Sequence, residues 1–170
     1  MKKIICEKLP RILKNKKKLS EVLGVTLTNR GKEVYIEGSP EKEYTAEKVI
    51  DAINFGFAIS KAILIKKEDL IFEILNIKDH TNRKDLERIR GRIIGKAGKT
   101  LKTLSDLSEC FIEIKENHLG IIGHAESIQV AQEALISIIK GSKQSNVYSH
   151  LEKTRPKPIQ DLGLRNKENN

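Results

Sequence analysis

Cysteine is scarce: only Cys6 and Cys110 occur, with no C-x-x-C pair, so neither a disulfide framework nor a thiolate zinc site is indicated and a reducing, cytoplasmic setting is expected. Aromatic residues make up 4% of the chain. A sheet that reads RNA by stacking bases on aromatics of its paired central strands needs more than the single strand candidate, Phe111. Long uncharged runs are missing, so no membrane span is expected, and the basic start lacks the apolar stretch and small-residue cleavage site of a secretion signal. His80, His118, His124 and His150 are scattered, with no H-E-x-x-H pattern, and no acidic cluster stands out. No metal ligands, catalytic residues or cofactor are expected, and the chain is not expected to be an enzyme.

What the sequence has in excess is positive charge. The formal net charge is +9, which points to an anionic partner. Residues 1–18 hold eight Lys or Arg against Glu7 alone, and residues 83–102 hold eight against Asp85 and Glu87. The first zone reads equally well as a solvated lysine-rich arm; the second coincides with the most distinctive motif in the chain.

That motif is Ile93-Ile94-Gly95-Lys96-Ala97-Gly98-Lys99-Thr100-Leu101. Apolar residues at helical spacing precede it, and Leu101, Leu104 and Leu107 follow at intervals of three, so it reads as helix, tight glycine loop, helix. Two glycines flanking two residues permit a sharp turn and the close approach of another backbone. The amides of such a loop and the start of the second helix favour an anion, with Lys96 and Lys99 beside it. A glycine-containing turn with solvated lysines is the plain alternative. A P-loop is rejected by spacing, because its first glycine would fall on Ile93. Helix-turn-helix DNA binding shares the two helices but gives no role to the paired glycines or the flanking strands.

Sliding the sequence against itself until Gly38 meets Gly123 also superposes, without a gap, Glu41 on Glu126, Ala46 on Ala131 and Gly56 on Gly141, with Leu27 on Ile112 and Ile36 on Ile121 among the apolar matches. This indicates a duplicated strand, turn, strand, helix unit. The first copy is expected to comprise a strand at 4–6, short helical turns within 9–23, a hairpin of 25–28 and 33–37 across Asn29-Arg30-Gly31, a helix at 43–55, and a connector at 57–68 with one short helix. The second comprises a strand at 70–77, helices at 85–94 and 99–108, strands at 111–114 and 119–122, and a helix at 125–140. The glycine loop has no counterpart in the first copy, where Pro10-Arg11-Ile12-Leu13 or Lys14-Asn15-Lys16-Lys17 occupies its place.

The Gly-x-x-Gly stretch in its aliphatic frame resembles the KH module. The order strand, helix, helix, strand, strand, helix fits its eukaryotic form. The resulting expectation is an α+β chain of two tandem eukaryotic-type (type I) KH domains, each a three-stranded antiparallel sheet with helices on one face. Residues 1–66 are expected to form a degenerate copy, 67–141 an intact one, 142–153 a short helix and 154–170 a flexible tail. The degenerate first copy, the run Arg88-Ile89-Arg90-Gly91-Arg92 before the loop, and the trailing Val147-Tyr148 with Leu151-Glu152 resemble the archaeal form of the family called partner-of-Nob-one or Dim-two. That resemblance implies binding to single-stranded RNA at the 3′ end region of precursor small-subunit ribosomal RNA. It also implies a Nob-type endonuclease as partner and a link to the alpha subunit of translation initiation factor two. On this reading Gly95, Lys96, Ala97 and Gly98 grip the sugar-phosphate backbone, and Arg92 and Lys99 neutralise phosphates. Arg88, Arg90 and Lys102 extend the basic track, and bases lie over Ile94, Leu101 and Ile112 beside Phe111. The chain departs from the usual archaeal form in lacking a glycine loop in its first copy.

Overall fold

Alternation builds the sheets. In β3 (Glu33–Glu37) Val34 and Ile36 are buried while the residues between them reach solvent, the period of two that gives a strand one dry face. The computed structural model describes residues 1–154. It pairs β3 antiparallel with β1 (Lys2–Ile5) on one side and β2 (Thr26–Arg30) on the other. A second three-stranded antiparallel sheet, from β4 (Ile71–Asn76), β5 (Phe111–Lys115) and β6 (His118–Gly123), repeats the order with β6 in the centre. The chain is α+β. The expected tail from residue 155 onward lies outside the described residues.

Helices α1 (Leu9–Lys14) and α2 (Lys16–Leu23) join β1 to β2, and α3 (Pro40–Phe55) follows β3. Two short helices, α4 (Ile59–Ala62) and α5 (Leu64–Lys67), lead to β4. In the second half a 3-10 turn (Ile77–His80) precedes α6 (Leu86–Ile94) and α7 (Lys99–Ser108); α8 (Ala125–Ile139) follows β6, and α9 (Gln144–Thr154) packs behind it. The starts of β2 and β5, β3 and β6, α3 and α8, and α4 and α9 are all separated by the offset that sets Gly38 on Gly123. Even the helix ends coincide. Gly24 closes α2 and Glu109 closes α7 with left-handed backbone, their amides bonded to the carbonyls of Ser20 and Ser105.

The differences from expectation are local. The hairpin turns at Gly31-Lys32, because the β2–β3 ladder continues to Arg30 opposite Glu33 and takes Asn29 and Arg30 into the strand. Helix α3 begins earlier than expected, at Pro40, whose fixed φ suits the first helical position. The connector holds two helices rather than one, meeting at Ile63.

The halves share a seam of phenylalanines. Phe55 at the end of α3 and Phe57 after it lie 6.0 and 5.8 Å from Phe72 of β4, ring centre to ring centre. They cover the face of the second sheet turned away from its helices. A Cβ on Gly120 in central strand β6 would lie 2.7 Å from Phe55, so only glycine lets this close packing form. At the edge of the seam the Lys115 ammonium meets the Glu7 carboxylate at 2.9 Å. With three of four phenylalanines used in this way, the middle of that sheet face, at Gly120 and Ile122, is covered, while Ile74 toward its edge stays exposed.

Candidate nucleic-acid interface

Helix α6 is held by Ile89 and Ile93, one helical turn apart and both buried, with Leu86 partly buried against the same cluster. It stops at Gly95, whose amide bonds to the Gly91 carbonyl at 2.8 Å. The backbone there has φ 72° and ψ 179°, a region that side-chain-bearing residues avoid. Space forbids a side chain as well: a Cβ on Gly95 would lie 2.6 Å from the Thr100 Cβ and 2.9 Å from its backbone nitrogen.

Ala97 (φ 55°, ψ 29°) and Gly98 (φ 74°, ψ 10°) are both left-handed, and α7 starts at once on Lys99. The Gly98 amide returns to the Gly95 carbonyl at 3.3 Å and the Lys99 amide to the Lys96 carbonyl, so the loop is braced from inside. Ala97 in that conformation costs about 1 kcal/mol, a local strain the bracing maintains. Lys96, Ala97 and Lys99 are exposed, and no acidic residue sits in the first turn of α7. The positive end of that helix and two ammonium groups therefore face outward together.

Beyond the loop, α7 and β5 enclose an open groove of about 630 Å³. Gly98, Leu101, Lys102, Phe111 and Ile112 line it, five of the residues expected at the site. Among the described residues β5 is an edge strand, paired with β6 alone, so its outer backbone groups face the groove side. Ser105, Asp106, Glu109 and Glu113 complete the wall away from the loop. Cys110 lies beneath: burial pushes its thiol up to about 11, and burial does the same to Cys6, so neither acts as a nucleophile near neutral pH.

The remaining expected residues divide. Arg88 is exposed beside the loop stem, whereas Ile94 is half-buried and does not line the groove. Arg90 donates to the Asn117 side-chain oxygen at 2.7 Å. Arg92, expected to face phosphates, donates through Nη1 to the Ile138 carbonyl at 2.9 Å and through Nη2 to the Ser142 carbonyl at 2.7 Å. Of the groove residues that went unforeseen, Lys61 of α4 is the one from outside the α7–β5 stretch, and it places its ammonium 5.3 Å above the Phe111 ring. Its position far upstream, in a connector without periodicity, leaves no local signal.

Strand, helix, Gly-x-x-Gly, helix, two strands and a helix define a KH module. The model of the eukaryotic-type KH domain (KH-domain type I) matches residues 71–156, and the chain belongs to that family. A KH domain-containing protein of Methanocaldococcus jannaschii is 28% identical over 149 residues, which cover 84% of this chain and 66% of that protein. The pre-rRNA-processing protein pno1 of Emericella nidulans is 36% identical over 63% of this chain and 43% of its own length. The chain thus spans under two thirds of these curated relatives. Among solved structures, Dim2p from Pyrococcus horikoshii superposes with a TM-score of 0.82 at 25% identity, covering 89% of this chain and 98% of that one. A Pyrococcus horikoshii a/eIF2alpha–aDim2p–rRNA complex gives 0.80 at 26% identity, over 91% and 93%. The protein is of the PNO1/Dim2 type.

Proposed function

We propose that this chain binds single-stranded RNA and serves in maturation of small-subunit ribosomal RNA, without a catalytic step of its own. The observation that carries the reading is the Gly95–Gly98 bend: bare backbone, internally braced, under two exposed lysines and at the start of a helix. Phosphates dock on Gly95, Lys96, Ala97, Gly98 and Lys99, with Arg88 and Lys102 continuing the track. About four bases enter the groove over Leu101 and Ile112, where the edge of β5 and Ser105 offer hydrogen bonds to base edges. Phe111 and Lys61 close its far wall.

Two type I KH units make up this reading. Residues 1–66 form a degenerate one without the loop, 67–141 the intact one, and 142–153 a closing helix. The pre-rRNA-processing names of the eukaryotic relatives and the rRNA in the archaeal complex support it. The finer assignment is to the 3′ end region of precursor small-subunit rRNA in the cytoplasm, beside a Nob-type endonuclease. The a/eIF2alpha in the archaeal complex supports the alpha subunit of that initiation factor as a second partner.

The test is a side-by-side titration of the protein with a single-stranded RNA, the same sequence as DNA, and a duplex. Preference for the single-stranded RNA is expected. With about three phosphates engaged, the log–log salt slope is about −2. Equal binding to the duplex would replace the reading with a nonspecific basic surface, and no binding to any would leave a protein adaptor.

A further inference from the structure

Arg92 lies in the last turn of α6, the helix that delivers the loop. Its guanidinium faces inward, across the C-terminal end of α8, and takes two carbonyls on either side of the helix end, Ile138 and Ser142. A cation is favoured there by the helix dipole, and the planar fork suits two acceptors at once. The backbone of the same residue is held from the other side: Gln144, the first residue of α9, donates its side-chain amide to the Arg92 carbonyl at 3.1 Å. Helix α9 in turn buries Val147 and Leu151 in the cluster that contains Leu104 of α7. The corner between α8 and α9 therefore bears on the stem of the loop and on the helix that leaves it.

The first half has a longer, one-nitrogen counterpart of the bond without the loop. Arg11 of α1 donates to the carbonyls of Gly56 and Phe57, both at 3.4 Å. Phe57 and Ser142 are separated by the offset that relates the two halves, whereas Arg11 and Arg92 fall four positions outside it, as do the buried Ile12 and Ile93. That difference equals the length of Gly95-Lys96-Ala97-Gly98. An arginine bonded at the end of the long helix is thus present in both units, and the first has it with no glycine loop beside it.

We infer that Arg92 is a positioning residue and not a phosphate contact. By tying α6 to the α8–α9 corner it holds the loop in its gripping shape, and it makes the C-terminal helix part of the RNA-binding device. This rests on the loop being the RNA site. A site set by supporting bonds loses affinity when they go, while the count of neutralised phosphates stays the same.

The experiment measures affinity for a mixed-sequence single-stranded RNA against salt, in the full chain, for Arg92→Ala, Gln144→Ala, Arg11→Ala and Lys99→Ala. Gly95 and Gly98 amide signals are followed by NMR. Arg92→Ala is expected to weaken binding about tenfold, the loss expected for charged hydrogen bonds, and to move both glycine signals. Its salt slope stays that of the parent, whereas Lys99→Ala makes the slope shallower by about 0.7. Gln144→Ala, which removes no charge, weakens binding about threefold in the same manner and carries the test should Arg92→Ala fail to fold. Arg11→Ala changes affinity less than about twofold. A slope reduced by Arg92→Ala as by Lys99→Ala would make Arg92 a phosphate ligand and overturn the inference. So would unchanged affinity with unmoved glycine signals. Failure of the loop reading itself shows separately, as unchanged affinity in the Lys96→Asp/Ala97→Asp protein.

Discussion

Between its first two helices one half of this molecule has a single residue, Asn15, and the other has Gly95-Lys96-Ala97-Gly98. Asn15 (φ −112°, ψ 14°) needs no positive φ and bonds its own side chain back to the Arg11 carbonyl at 3.0 Å. Past each junction the halves run nearly in step: Leu19 and Leu104 are buried at equivalent positions of the repeat, and the helices end on Ser20 and Ser105 in the same way. Ahead of the junction they do not. Ile5 pairs with Glu33 and Asn76 with His118, so the path from first strand to central strand is longer in the second half. The loop accounts for part of the added length, and the longer segment between β4 and α6 and the longer helices α6 and α7 for the rest. Scaffold and site are therefore separable. Sheet, long helix and an arginine at its end are present in the first half without the loop, and the proposed RNA binding gives the loop's strained backbone a role that the scaffold does not.

The largest test of that separation is excision of residues 95–98, which remakes the second junction on the pattern of the first. RNA affinity is expected to fall by at least about 100-fold as the clamp and its amides go. Urea unfolding should remain a single cooperative transition; loss of the fold would show the loop to be structural. Next comes a matched pair of glycines. Gly95→Ala meets both a positive φ and Thr100, and is expected to cost about 2–3 kcal/mol in stability together with RNA binding. Gly31→Ala, at φ 56° with open space around it, should cost about 1 kcal/mol and leave binding alone. Equal costs in denaturant melts would mean that Thr100 simply gives way. The smallest effect is expected from the lysine-rich arm: Lys17→Ala/Lys18→Ala, both exposed on α2, should change affinity less than about twofold near physiological salt. A shallower salt slope in that variant would give the first unit a phosphate contact after all.

Much of this was legible in the chain. The α6–loop–α7 stretch lies within a residue of its expected bounds, because periodic isoleucines and leucines and a glycine pair mark it. The internal repeat places the hairpin and the long helix of both halves. The clamp was hidden by the loop itself: its extra residues put Arg11 and Arg92 out of the register that reveals the repeat, and a guanidinium bonded to carbonyls leaves no periodic trace. For the same reason Arg90 and Arg92 read as free cations in a basic run, although both have partners inside the fold. Lys61 depends on tertiary packing across the phenylalanine seam, which no local pattern announces. The hairpin turn moved toward β3 because cross-strand pairing overrode the turn preference of Asn29.

The most direct measurement compares two variants with the same change in charge: Lys96→Asp/Ala97→Asp in the loop, and Asn15→Asp/Lys16→Asp at the equivalent junction of the first unit. Titrated with one single-stranded RNA at fixed salt, the loop variant is predicted to lose binding and the junction variant to stay within about threefold of the parent. Equal losses would mean that net charge, and not the bare bend at Gly95 to Gly98, holds the RNA.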